Sequence, residues 1–551
     1  MKKIIHFLVL GFCISLLSIN PSYGQDDANI STSNEAMFCK VWGILKYYHP
    51  NVANGKYNWD EQFLTQLSLI QKATNKDEIA TVYSNWLTSL GVVKQCKSCK
   101  NDLDESKYFT KNLDLSWLEN RAYFSADVVE KLHFIKNNRY QGKPFYVENA
   151  STGNVVILNE LEDKIDTYPD SNRRILSLAN FWNTVEYFFP YKYLTDKKWD
   201  DVLIEMLGKF VALEDISAYE MVLLETVAKT DDSHGFFKTY NTVNYFGTQF
   251  FPAKIKIIEG EAIITDIPNA SLGKINDLKV GDIIEKFNGK DVQSIIKEKS
   301  KYLSGSNINS KLRPTYMYLS NGSEKTVKIS LIRDNKSIEK NIFRYSYDSI
   351  YISKKVPEKY KILNESIGYV DMAYLEMKDV DKMMEEFKST KGMIIDLRNY
   401  PNFIPYLLAR RFITQEKDFA SIIKPDLSYP GTFKFAKNQT ISPMKKYYPE
   451  KIVLLVNEDT QSRAEFSAML LQVGDNVTTL GSQTAGADGN TSQIHFSSTY
   501  KSFLSGTGIY YPDGTETQRK GIKIDIEVKP TIEGIQSGKD EVLDVALKQF
   551  K

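Results

Sequence analysis

Lys451-Ile452-Val453-Leu454-Leu455-Val456-Asn457-Glu458-Asp459-Thr460-Gln461-Ser462-Arg463-Ala464-Glu465-Phe466 decides how this chain is read. Ile452 to Val456 is apolar at every position. A strand with one wet face alternates. An unbroken apolar run marks a strand buried on both faces, as in a parallel sheet covered by helices. The polar residues Asn457 to Gln461 then lead into a helix starting near Ser462. In open α/β sheets, ligands and nucleophiles gather at such strand C-terminal ends. Ser462 admits two readings there. As a helix N-cap it pairs with Glu465, three residues on, in a capping box. As a nucleophile it sits beside helix N-terminal N–H groups that can hold an oxyanion. The box alone does not separate the two.

The flanking sequence does. Ile367 to Val370 reads as a strand, Asp379 to Lys388 as a helix and Val477 to Leu480 as a further strand. Gly392 to Arg398 is a buried strand with polar residues at its C-terminal end. Thr460-x-Ser462-x-Ala464-Glu465 occurs together with Ile395-Asp396-Leu397-Arg398, Leu480-Gly481, Thr484-Ala485-Gly486 and Gly521-Ile522-Lys523-Ile524-Asp525. This set resembles the core of the tail-specific (C-terminal processing) protease family, serine peptidases that commonly carry a PDZ domain. The resemblance runs from about Ala179 to the C-terminus. It implies an α/β protease core of the ClpP/crotonase-like type over residues 347–551, with Ser462 as nucleophile.

A serine nucleophile needs a base. One branch of that family uses a lysine about 25 residues on. Here Thr484 to Asn490 contains none. The other branch, similar to tricorn protease and the retinol-binding-protein-like members, takes a histidine from the segment before the PDZ. Thr230-Asp231-Asp232-Ser233-His234-Gly235 stands at that place. The resemblance makes His234 the general base, oriented by Ser233, which a C-terminal glutamate orients in turn. Glu516 is the glutamate of the stretch Asp513 to Arg519, with Gln518 as the alternative occupant. A neutral imidazole suits proton transfer at neutral pH and needs a second partner to fix its tautomer. Ser462 and His234 are therefore expected to meet in space. His495 alternates with Ile494 and Phe496 and is a weaker base; His133 and His49 read as structural. The oxyanion donors are expected to be the backbone N–H of Arg463 and, in the loop after Arg398, that of Asn402. The family usually has Gly-Gly in that loop, whereas this chain has Asn399-Tyr400-Pro401-Asn402. This chemistry calls for no metal and no cofactor.

Upstream, Leu278-Lys279-Val280-Gly281-Asp282-Ile283-Ile284-Glu285-Lys286-Phe287-Asn288-Gly289 resembles the signature of bacterial PDZ domains, with an Asn-Gly hairpin turn. A PDZ-like domain is expected over 246–346. It would take an extended chain end by strand addition or serve only as a packing unit. Before it, Trp42 to Pro50 is echoed by Trp182 to Pro190, and Trp59-Asp60 by Trp199-Asp200, each 140 residues apart. These read as two helical hairpins, in segments 25–165 and 166–245. The fold class is thus multidomain α+β: a helical repeat region, a PDZ-like β domain and the α/β core.

Composition sets the outer limits. The 551 residues hold 70 Lys+Arg against 69 Asp+Glu, which argues against a polybasic nucleic-acid binder. With 42% hydrophobic residues the chain can build packed cores. Lys2-Lys3, an apolar run from Ile4 to Ile19 and Ser22-Tyr23-Gly24 have the build of a signal peptide, residues 1–24, cleaved near Gly24/Gln25. Loss of Lys2 and Lys3 takes the formal charge from +1 to −1. Phe12 precedes Cys13 where a lipobox has a small residue. A periplasmic or secreted protein follows, with no integral span after cleavage. Cys96-x-x-Cys99 then reads as a small disulfide, ahead of a redox dithiol or half a zinc site. The expected activity is a serine endopeptidase acting on peptide or unfolded protein, with no nucleic-acid partner. The competing readings are a catalytically weak or inactive peptide-binding protein on the same scaffold, and a hydrolase of small esters or glycans.

Overall fold

The computed structural model describes residues 23–160, 168–351, 358–402 and 405–551. The expected signal segment lies outside them up to residue 22, as does Cys13.

Aromatic spacing builds the N-terminal layer. Helix α1 (Tyr23–Tyr48) packs on α2 (Trp59–Lys72), and α3 (Ser171–Phe188) packs on α4 (Trp199–Val211). In the first pair the Trp42 indole donates to the Trp59 carbonyl (3.1 Å), and the Trp59 indole donates to the Trp42 carbonyl (3.2 Å). Trp182 and Trp199 do the same at 2.8 and 3.1 Å. Each indole is buried with its one donor satisfied, so each pair contributes stacking area without an orphaned N–H. Between the pairs α1 meets α3 at Gly43. A Cβ there would stand 1.7 Å from Asn183 Oδ1, so only glycine fits. Asn183 Nδ2 donates to the Cys39 carbonyl across the same contact. The two helical segments share one apolar core. It continues into Ile423, Phe433, Phe496 and Leu504 of the C-terminal half, where Phe496 stacks on Phe181 at 4.2 Å. His49 is buried at the end of α1, its Nδ1 accepting from Asn51 N; burial lowers its pKa to about 4. Cys96 and Cys99 form a disulfide.

Helix α5 (Ile216–Ala228) leads through the loop of His234 into an antiparallel sheet. Its strands are β1 (Lys254–Ile258), β2 (Glu261–Asp266), β3 (Ile283–Phe287), β4 (Thr326–Arg333) and β5 (Lys336–Phe343), in that order across the sheet. Its own core includes Ile255, Ile264, Phe287 and Leu331. Asn288 and Gly289 both have positive φ, 48° and 78°, as a tight hairpin turn demands. β1 is an edge strand, and the segment between β3 and β4 reaches out to the catalytic half.

The last unit is a six-stranded sheet: β6 (Tyr360–Leu363), β7 (Ile367–Asp371), β8 (Gly392–Asp396), β9 (Lys451–Val456), β10 (Val477–Gly481) and β11 (Ile526–Glu527). Their order in space follows their order in sequence. Only β6 runs antiparallel to its neighbour. Alternate residues of β8 and β9 feed two cores. Met393, Ile395, Leu454 and Val456 face the helix α6 (Arg463–Gln472), whereas Ile394, Val453 and Leu455 face α7 (Glu541–Lys548) and Phe550. Both faces are covered, which is why the sequence of β9 does not alternate. No helix among the described residues is long and apolar enough to cross a membrane.

Replacing Trp182 or Trp42 with Phe removes one indole-to-carbonyl bond and part of a stacked ring from the core. Each variant is expected to lose about 1–3 kcal/mol of stability, read from denaturant unfolding. A loss below about 0.5 kcal/mol would show that the reciprocal bonds contribute little.

Candidate active site

Ser462 sits where β9 turns into α6, and its backbone is strained. Its φ and ψ are 56° and −118°, outside the extended region that an ordinary N-cap occupies. The N-caps Asn58, Ser125 and Asp170 of this chain are all extended. A non-glycine residue in such a conformation costs about 1–3 kcal/mol and persists only where the surroundings over-determine it. Here they do. Ser462 N donates to the Ala487 carbonyl (2.9 Å) and to Glu465 Oε2 (3.2 Å). The fully buried Glu465 carboxylate also accepts from Thr484 Oγ1, Gly486 N and Ala487 N. Burial pushes Glu465 up in pKa, and these donors pull it back only in part. Thr460 Oγ1 donates to the Leu397 carbonyl and accepts from Asn457 N, which ties the turn to the end of β8. A sharp strand-to-helix turn of this kind presents a serine hydroxyl outward.

His234 reaches the same place from the loop after α5. The carbonyl of Ser233 accepts from Gln461 Nε2 (3.1 Å), so the residues preceding the histidine and the serine touch. The His234 side chain is 7% exposed. Its Nδ1 lies 2.9 Å from Ser505 Oγ, and its Nε2 is buried without a hydrogen-bond partner. The expected direct contact with Ser462 is therefore one of adjoining segments, with no hydrogen bond to Nε2. Ser505 ends the hairpin Thr491–His495/Lys501–Ser505. Its Oγ donates to Asp232 Oδ1 (3.1 Å), and its N donates to Asp232 Oδ2 (2.6 Å). His234 N also donates to Asp232 Oδ1.

Other residues named from the sequence fall elsewhere. Ser233 Oγ donates to the Ala485 carbonyl and accepts from Ser306 N; it pins the loop and leaves the imidazole to Ser505. Glu516 accepts from Tyr193 OH and pairs with Lys520, making no bond to Ser233 or His234. Gln518, the alternative, is buried, and its Nε2 faces Ser306 Oγ (3.3 Å) and Asp232 Oδ1 (3.5 Å). Asn402 N already donates to the Met372 carbonyl (3.0 Å), which corrects its expected place in an oxyanion hole. The Asn402 side chain bonds the Ala373 and Leu375 carbonyls. Arg463 opens α6, where N–H groups point out of the helix beside the serine. Its guanidinium lies over the Tyr400 ring. His495 lies in the hairpin, its pKa lowered by burial.

Two acidic residues of the site gave no chemical signal in the sequence. Asp232 was visible only as part of a polar turn. Asp488 lies in the stretch that lacks a lysine. It is fully buried, its Oδ1 accepting from Gly489 N and its Oδ2 without a partner. Burial, and then the neighbouring Glu465 charge, hold its pKa well above the usual carboxylate range. No group of three or more metal-ligating side chains occurs among the described residues. A cleft of about 1060 Å³ lies between β1 and the ends of β8 and β9, lined by Lys256, Arg313, Arg398, Glu458 and Asp459 among others. Lys256 pairs with Glu458 and Asp459, and Arg313 holds Gln461 Oε1, so the β domain is clamped to the turn that carries Ser462.

Residues 366–528 match the model of peptidase family S41. The chain carries an S41 peptidase core in that segment, which is less than half of its length. It is a serine-type peptidase, a hydrolase acting on proteins. Among solved structures, mature CPAF complexed with lactacystin is 13% identical, with a TM-score of 0.54 over 69% of this chain and 99% of that one. Mature CPAF alone is 14% identical, with a TM-score of 0.53 over 69% and 98%. The photosystem II D1 C-terminal processing protease is 14% identical, with a TM-score of 0.38 over 67% and 98%. At these identities the first two likenesses establish a shared fold. No curated protein matches the chain.

The strain at Ser462 has a measurable consequence. Glycine adopts a positive φ without penalty, alanine does not. Ser462→Gly is expected to melt at or above the temperature of Ser462→Ala, although glycine ordinarily costs about 0.5–1 kcal/mol against alanine. A clearly lower melting temperature for the glycine variant would remove the argument from strain.

Asp488 gives a pH test. Its folded pKa is raised, so its stabilisation is complete below the unfolded carboxylate value and is lost as pH rises toward the folded value. Asp488→Asn keeps the shape without the charge. The variant is expected to gain on the native chain steadily from pH 4.5 to pH 8 in thermal melts. A constant difference across that range would contradict the assignment.

Proposed function

We propose that this S41 peptidase is a secreted or periplasmic serine endopeptidase in which Ser462 is the nucleophile and His234 the general base. The observation that carries this reading is the pairing of two features. A strained serine at a helix N-terminus follows Gln461, which bonds the Ser233 carbonyl, and the next residue, His234, has a buried Nε2 without a partner while its Nδ1 is held. In the acylation step Ser462 Oγ attacks the scissile carbonyl carbon as its proton passes to His234 Nε2. The imidazolium then returns that proton to the leaving amine, and the acyl-enzyme is hydrolysed by water activated in the same way. The backbone N–H of Arg463, which opens α6, is the donor read as facing the developing oxyanion.

The β domain is read as PDZ-like. Its edge strand β1 borders the cleft lined by Glu458 and Asp459, and an extended chain end can add to that edge by main-chain hydrogen bonds. The clamp of Lys256 and Arg313 on Glu458 and Gln461 would let such capture bear on the catalytic turn. The extracytoplasmic location rests on the build of residues 1–24. One observation favours a catalytically weak, peptide-binding reading. Asn402 N–H is spent on Met372, so the second oxyanion donor is not preformed at that residue.

A fluorophosphonate probe separates the two. The native chain is expected to be labelled, Ser462→Ala not at all, and His234→Ala at least about 100-fold more slowly. A folded native chain that stays unlabelled would leave the peptide-binding reading standing.

A further inference from the structure

An imidazole can serve as base at Nε2 only if its single neutral-state proton is on Nδ1. What fixes that proton here is not the pair named from the sequence. Ser233 is occupied by Ala485 and Ser306, Glu516 is bonded to Tyr193 and Lys520, and Gln518 carries no charge. We propose that Asp232 and Ser505 are the positioning residues of this site, a buried carboxylate–hydroxyl pair that sets His234 as the Nδ1–H tautomer and turns its Nε2 lone pair toward Ser462. The assignment rests on the serine peptidase reading above and names the device that makes the base work.

Hydrogen counting decides the direction of each bond. Asp232 is fully buried and accepts Ser505 N at 2.6 Å, Ser505 Oγ at 3.1 Å and His234 N at 3.2 Å. An ionised carboxylate only accepts, so the single Ser505 hydroxyl hydrogen points to Asp232. Ser505 Oγ, 2.9 Å from Nδ1, must then accept from Nδ1–H. The reverse arrangement takes the hydroxyl hydrogen from a buried carboxylate and leaves Nε2–H as a buried donor without an acceptor, which costs about 1–3 kcal/mol. Burial raises Asp232, but hydrogen bonds and charge from His234, with Ser505 N, outweigh it, and the carboxyl lies below its ordinary pKa. When His234 takes the Ser462 proton, the imidazolium stands 3.6 Å from Asp232 Oδ1, and Asp232 remains ionised throughout. Gln518 Nε2 adds a neutral donor to the same carboxylate. The negative charge behind the histidine therefore comes from two residues upstream of it, and the hydroxyl that relays it comes from a hairpin 271 residues away.

The test has two arms on the full chain. Nitrogen NMR of histidine-labelled protein, with His234→Gln for assignment, is expected to show His234 as the Nδ1–H tautomer in the native chain. In Ser505→Ala the two tautomers are expected to mix. Fluorophosphonate acylation is expected to slow about 100-fold in Ser505→Ala and Asp232→Asn, with the concentration dependence of binding unchanged. Ser505→Thr, which keeps the hydroxyl, is expected to recover most of that loss. A native His234 in the Nε2–H form overturns the proposal. So do folded Ser505→Ala and Asp232→Asn chains acylated within about threefold of the native rate. If the native chain is not acylated at all, the peptidase reading fails, and the tautomer measurement still decides the role of Asp232 and Ser505.

Discussion

Glu465 is the constraint on which the catalytic half depends. Its carboxylate is out of water, and one ionised group there would be costly alone. Four donors offset that cost: the N–H groups of Ser462, Gly486 and Ala487 and the hydroxyl of Thr484. The same bonds join the start of α6 to the loop after β10 and hold Ser462 in a backbone conformation that its side chain disfavours. A capping box satisfies helix N–H groups in many proteins. In this chain its acidic member does something further, since the donors it gathers come from two segments and the serine it fixes is strained.

A second set of contacts brings distant segments to that turn. Gln461, next to the serine, donates from Nε2 to the Ser233 carbonyl and accepts at Oε1 from Arg313. One amide therefore connects the nucleophile turn, the histidine loop and the β domain. The Ser306 hydroxyl and amide link Ser233 to the same domain. On the proposed reading, the geometry of His234 against Ser462 is thus coupled to where the β domain sits. A shift of the segment Ser306 to Arg313 would change the partners of Ser233 and Gln461 at once.

Much of this was legible in local sequence. The unbroken apolar run of β9 announced a strand covered on both faces, and Ser462 after it marked a strand-to-helix junction. Asn288-Gly289 announced its turn. The tryptophan spacing announced helix pairs, because an indole must bury its ring and still satisfy one N–H. What stayed hidden depends on contacts across the chain. Nothing local distinguishes Ser505 from any buried serine at the end of a strand. Glu516 looked suitable because it is acidic, but the fold buries Gln518 beside Asp232 and bonds Glu516 to Tyr193. Asn402 looked available because Pro401 has no N–H, yet the fold delivers the Asn402 N–H to the Met372 carbonyl.

Asp488 explains why the base has to come from so far away. In a Ser-Lys arrangement the loop after β10 would supply an amine near the serine. Here that loop supplies a buried carboxyl beside Glu465, and two carboxylates that close in a dry site cannot both ionise. Glu465 has four donors, while Asp488 has one donor to Oδ1 and none to Oδ2, so burial favours the protonated form more strongly at Asp488. A protonated acid accepts no proton from a serine hydroxyl. On the proposed reading such a loop gives the serine no ready base, and His234 takes that part from another segment, with Asp232 bonded to it from two residues before.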